Sequence, residues 1–234
     1  MAANPVMYIG FYRRSTNPAV KTPAVELYGV NSLAGSAFNF VKNSKLELIS
    51  FGCSTVAERV AAEQTIVVTE NFGKIICRPR TDGIVPVVVT DSSYPERLAT
   101  QLVENLAGME KNEVEKQREL KRSKPGQTEL LQNFWGTHQD SFREPPRPDA
   151  VKKATEQLRI YIEAYGQPKD FTSVLGDIQS QLDETKEVLH ATIDKVLQRG
   201  EKIDSLVEKS NTLSTQSKAF YTHAKKQNSC CIVM

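Results

Sequence analysis

At 234 residues, with 39% hydrophobic and 7% aromatic content and a formal charge of +2, the chain suits one or two domains around a modest core. So small a charge gives no case for nucleic acid, and no segment reads as a basic recognition helix. Met1-Ala2-Ala3-Asn4-Pro5 lacks both a charged, apolar secretory signal and a Gly at position two for myristoylation. No apolar run approaches the roughly 20 residues that span a bilayer, so the expectation is a cytosolic protein that reaches membranes through lipid.

The first hundred residues predict a small α/β domain. Val6 to Phe11 is an apolar strand, with Val25 to Val30 as its hairpin partner. Thr65 to Thr69, Lys74 to Arg78 and Ile84 to Thr90 follow, punctuated by Asn71-Phe72-Gly73 and Thr81-Asp82-Gly83, and read as an antiparallel meander. Leu46, Ile49, Cys53, Val56 and Val60 mark one face of a helix, on which Leu48 and Phe51 form a second apolar face. A further helix opens after Asp91-Ser92-Ser93-Tyr94-Pro95-Glu96 and carries Leu98, Leu102, Leu106 and Met109. Cys53 and Cys77 fall in apolar surroundings, as reduced core residues do.

From Glu110 to Pro148 the character changes. Lys111 to Lys124 is a mixed-charge helical run closed by Pro125-Gly126, and the stretch through Trp135, Pro145 and Pro148 predicts an irregular loop. Ala150 to Tyr165 is helical again, with Leu158 and Ile162 on one face, until Gly166-Gln167-Pro168 breaks it.

A regular seam then begins. Leu175, Ile178, Leu182, Thr185, Leu189, Thr192, Val196, Arg199, Ile203, Leu206, Ser210, Leu213, Ser217, Phe220 and Ala224 alternate by three and four, a coiled-coil pattern over about seven heptads. As one helix this run would be about 75 Å long at 1.5 Å per residue. Arg199 sits mid-seam, where a guanidinium that cannot lose its charge needs acceptors or must snorkel to solvent. In-register self-association would bring several cations to one layer. A hetero-bundle offering Gln carbonyls there would satisfy the cation and set register. Thr185, Thr192, Ser210 and Ser217 thin the seam, so the lone helix should fold only when partners complete its core.

Cys230-Cys231-Ile232-Val233-Met234 fits the C-a-a-X pattern with a farnesyl-type ending at Cys231. One isoprenoid anchors only marginally. Cys230 offers a second site, for palmitate or another prenyl group, with Lys218, Lys225 and Lys226 as a weak basic supplement.

Together, Leu182-Asp183-Glu184-Thr185-Lys186, Leu197-Gln198-Arg199-Gly200-Glu201-Lys202, Thr215-Gln216-Ser217-Lys218-Ala219-Phe220-Tyr221 and Lys226-Gln227-Asn228-Ser229-Cys230-Cys231 resemble the longin-class R-SNAREs. The resemblance is to the prenylated, YKT-type synaptobrevin homologues, which carry lipid in place of a transmembrane helix, and it covers nearly the whole chain. It implies an α+β, profilin-like longin domain of five antiparallel strands flanked by helices over 1–165, a long SNARE coiled-coil helix over 171–228, and a lipidation signal over 229–234. It implies Arg199 as the zero-layer arginine, meeting glutamines from three Q-SNARE helices (Qa, Qb and Qc). The layers are then Leu175, Ile178, Leu182, Leu189, Val196, Ile203, Leu206, Leu213, Phe220 and Ala224. It also implies a prenyl group on Cys231, palmitate or a second prenyl group on Cys230, and a longin surface including Phe51, beside Leu48, that shields the SNARE helix and lipid. The chain departs from that pattern in the segment from Glu110 to Pro148, which reads as an insertion, and in Gln227, polar at the last seam position.

The function expected is membrane fusion at the cytoplasmic face of Golgi, endosomal, vacuolar or vesicle membranes. The alternative is a prenylated coiled-coil tether, which gains nothing from a buried cation. No phosphate loop, metal-ligand cluster or nucleophile elbow occurs, and His138, His190 and His223 are widely separated, so neither catalysis, a bound cofactor nor a metal is expected.

Overall fold

The computed structural model describes residues 4–15, 24–33, 39–61, 63–108, 134–166, 188–197 and 200–229. β1 (Val6–Arg13), β2 (Val25–Asn31), β3 (Thr65–Glu70), β4 (Gly73–Cys77) and β5 (Ile84–Thr90) fall where alternation and turn chemistry predicted them. They pair antiparallel in the order β2-β1-β5-β4-β3.

Burial follows the two-residue period of a strand covered on both faces. Val67, Ile76 and Val88 point to one side of the sheet. Ile66, Val68, Ile75, Cys77, Val87 and Val89 point to the other. This is why the central strands are nearly continuous apolar runs.

The first face is covered by α2 (Glu96–Leu106) and α4 (Pro148–Tyr165), through Leu102, Leu106, Leu158 and Tyr161. The last part of the expected loop is ordered: α3 (Phe134–Thr137) and a tight turn over Gln139–Phe142 complete this layer. The reason is aromatic. Phe11 lies 5.3 Å from the Phe134 ring and 4.8 Å from Phe142, while Trp135 stacks on Phe142 at 4.4 Å and beneath the Arg80 guanidinium. The mixed-charge run from Lys111 to Lys124 lies outside the described residues.

The second face is covered by α1 (Asn39–Arg59), through Ile49, Cys53, Val56 and Ala57, and by residues from the heptad segment. Cys53 and Cys77 are buried there and unbridged. Burial pushes the Cys77 thiol up to about 12 and Cys53 well above its ordinary value, so both stay protonated and weakly nucleophilic.

Two features differ from expectation. The sheet has six strands among the described residues, because β6 (Val188–Ala191) adds to β3 in parallel. The heptad segment is also not one helix over 188–229. It runs as β6, α5 (Ile193–Val196), α6 (Ile203–Lys209) and α7 (Thr215–Ser229). Its seam is too thin to stabilise a lone helix, and the open edge of β3 and the outer side of α1 offer its backbone and apolar side chains better partners.

Candidate functional site: the docked heptad segment

β6 satisfies the free edge of β3, with Val188, Leu189, His190 and Ala191 opposite Thr65, Ile66, Val67 and Val68. The chain then turns at Thr192 into α5. The Glu70 carboxylate, at the end of β3, accepts a bond from the Ile193 N–H at 2.9 Å, capping the first turn. Desolvation raises the Glu70 pKa, partly opposed by this same bond. Asp194 in turn accepts from the Ile203 N–H at 3.2 Å, linking α5 to α6 across the intervening loop.

Gly200, in that loop, has φ +92, a conformation side-chain-bearing residues rarely adopt. Beside it, Arg59 at the end of α1 donates twice to Glu201 at 3.3 Å.

The start of α7 is held by Glu47 of α1. Its Oε2 accepts from the Ser214 N–H at 2.8 Å and from the Ser217 hydroxyl at 2.7 Å. Ser214 acts as the N-cap, its Oγ receiving the Ser217 N–H at 3.2 Å and its carbonyl the first helical bond from Lys218. The bond from the Ser214 backbone, followed by those from the two hydroxyls, keeps the Glu47 carboxyl below its ordinary value. Between α6 and α7, Asp204 accepts from Lys225 at 2.6 Å and from the Tyr221 hydroxyl at 3.1 Å. The Lys225 bond is the main cause of the lowered Asp204 pKa.

Leu48 is buried and Phe51 half-buried, and both line a narrow crevice with Gly52 and Phe72 on the domain side and Ile193, Ile203, Val207 and Tyr221 on the segment side. Of the layer residues, Ile203 and Leu213 are buried against the domain, while Val196, Leu206 and Phe220 are partly buried there. Ala224 is also half-buried, whereas Leu189 is 43% exposed. Arg199, Leu175, Ile178, Leu182, Cys230 and Cys231 lie outside the described residues. Among the described residues no helix is long and apolar enough to cross a membrane.

Glu47 and Glu70 were not singled out from sequence, Gly200 entered only within the motif around Arg199, and no docking role was read for the buried Ile193, Leu197 and Val207. For the last three a signal exists: each is apolar but stands outside the seam.

An α+β domain carrying a C-terminal heptad segment, here folded onto its outer face and sheet edge, defines a SNARE-type chain. Residues 174–232 match the synaptobrevin family model. The chain is 35% identical over 233 residues to the synaptobrevin homolog YKT6 of Candida glabrata, covering 98% of this chain and 99% of that protein. The Saccharomyces cerevisiae protein of the same name gives 35% identity and the same coverage. That of Schizosaccharomyces pombe gives 35% over 199 residues, 85% of this chain and 87% of the relative. The chain belongs to the YKT6 family of synaptobrevin homologues, R-SNAREs of vesicle trafficking.

Proposed function

We propose that this R-SNARE completes a four-helix bundle with three Q-SNARE helices, one each of the Qa, Qb and Qc kinds, and that its domain holds the same segment inactive beforehand. Its units are a longin domain over 1–165, a SNARE motif over 171–228 and a lipidation signal over 229–234. Arg199 forms the central polar layer with three glutamines, where its charge is satisfied and register is set. Cys231 carries a farnesyl or other isoprenoid, and Cys230 carries palmitate or a second prenyl group. These lipids give reversible attachment to the cytoplasmic face of Golgi, endosomal, vacuolar or vesicle membranes. Zippering toward residue 224 then draws the anchored membrane toward that of the partners. As a SNARE it acts by assembly, with no catalytic group assigned.

One observation carries the regulatory part. Ile203, Leu213 and Ser217 stand in the seam, yet all three are buried against the domain, and they cannot face partner helices at the same time. Domain and partners therefore compete for one set of side chains, so release precedes or accompanies assembly.

The test mixes the full chain with Qa, Qb and Qc helices and follows helicity and melting. A large gain in helix that needs all three partners, with a lower Tm for Arg199→Ala, supports the reading. Folding as a homo-oligomer instead would leave a tether. In cells, Cys231→Ser should abolish its prenyl mass increment and membrane recovery, whereas Cys230→Ser should keep the Cys231 prenyl increment, lose the mass of whichever lipid Cys230 carries, and shorten membrane residence.

A further inference from the structure

The heptad segment carries more apolar residues than its seam uses. Ile193, Val207 and Tyr221 each directly follow a seam residue (Thr192, Leu206 and Phe220) and recur every 14 residues, or two heptads. Leu197 likewise follows Val196. In a continuous helix each is turned about 100° from the seam residue before it, onto the flank of a bundle. A bundle covers the positions beside its seam less fully than the seam itself, so these side chains gain less there than the seam residues do.

In the docked state the order of burial is inverted around β6 and α5. Seam residue Leu189 is 43% exposed and Thr192 is exposed, while Ile193, Leu197 and Val207 are 3%, 8% and 4% exposed. Tyr221 packs on the same cluster and donates to Asp204. The intervening flank positions are Gly200, at the turn, and Ser214, at the cap.

We propose that Ile193, Leu197, Val207 and Tyr221 are a dedicated docking face for this chain's own domain, written beside the seam and dispensable for the four-helix bundle. The inference rests on the autoinhibited state proposed above and names what regulates it. Ile203, Leu213 and Ser217 are contested by both states, whereas these four serve the docked state alone. The docked population can therefore be changed without altering the finished bundle.

The experiment compares the full chain with two double variants, Leu197→Ser/Val207→Ser on the flank and Ile203→Ser/Leu213→Ser on the seam. Amide exchange at β6 reads docking, the rate of complex formation with the three Q-SNARE helices reads release, and the Tm of the complex reads the bundle. Exchange at β1 and β5 reports in the same sample that the domain is folded. The flank variant should exchange at β6 at least about tenfold faster, since two buried aliphatic side chains are lost. It should also assemble severalfold faster and give a complex with nearly wild-type Tm, while the seam variant lowers that Tm strongly.

Unchanged protection at β6 in the flank variant, or a drop in complex Tm equal to that of the seam variant, overturns the proposal. If wild-type β6 is itself unprotected and the full chain assembles as fast as the flank variant, autoinhibition fails and this inference falls with it. Failure of the docking face alone looks different, because wild-type β6 then stays protected.

Discussion

The Ser217 hydroxyl donates to Glu47 Oε2 at 2.7 Å, joining a heptad-seam residue to the first helix of the domain. Ser217 is fully buried. A small polar seam residue contributes little to a coiled-coil core, but it suits this bond, in which the carboxylate also holds the cap of α7. Glu47 therefore ties the C-terminal helix to α1.

This bond makes docking sensitive to acid. A carboxyl whose pKa is lowered in the docked state contributes fully above the free value of 4.5 and loses that contribution as pH falls through the lowered value. Asp204, also lowered, has the same sign. Glu70, raised by desolvation, has the opposite sign and partly offsets them. Amide exchange at the start of α7 should accelerate as pH is lowered from 5 toward 3, after correction for intrinsic rates; Glu47→Ala should be fast throughout, with a flatter pH profile.

Gly200→Ala should favour release from both sides. At φ +92 the added Cβ is strained by about 1–2 kcal/mol, although nothing lies near it. In the helical bundle, Ala is better than Gly by about 1 kcal/mol. Strain weakens the docked state and helix propensity favours the bundle, so the two effects add in the balance between docked and assembled states and shift it by more than about tenfold. Faster complex formation with a raised complex Tm is the expected result.

Asp204 and Lys225 report the state of the segment by distance. Their charged groups meet at 2.6 Å when docked, whereas 21 residues of straight helix separate them by about 31 Å. Spin labels at these two positions, with Cys230 and Cys231 replaced, should give a short distance in the free chain and about 31 Å in the complex. The exposed ion pair itself contributes little, but a label at Asp204 also removes the acceptor of the Tyr221 hydroxyl, so amide exchange at β6 in the labelled chain checks that it stays docked.

Phe11→Ala should destabilise the whole domain by about 3–5 kcal/mol. Phe11 is fully buried and touches the rings of Tyr28, Phe134 and Phe142. Phe134→Ala should have a comparable effect in thermal melting, because the residues after 133 are part of the domain core.

The strands of the domain were legible because their signal is local. β-branched runs and turn residues bracket β3, β4 and β5, and the apolar spacing of α1, α2 and α4 is helical. The segment after 133 was less so, since the order of Phe134 and Phe142 depends on Phe11, more than 120 positions earlier. The docking surface was partly legible. Leu48 and Phe51 stood out as a second apolar face on α1, whereas Glu47, beside them, showed nothing until Ser214 and Ser217 were placed against it.

By itself, the sequence determined the five antiparallel strands, the helices that cover them, the heptad seam with its arginine, and the family, each carried by residues close together in the chain or by a contiguous motif. Only the tertiary structure decided what the heptad segment does when alone. Its periodicity is helical, yet Val188 to Ala191 become a strand, because the edge of β3 offers unpaired backbone groups that no local pattern can announce. Likewise Ile193, Leu197 and Val207 are buried ahead of Leu189, because burial depends on which surface lies opposite, and that surface is made by residues more than a hundred positions away.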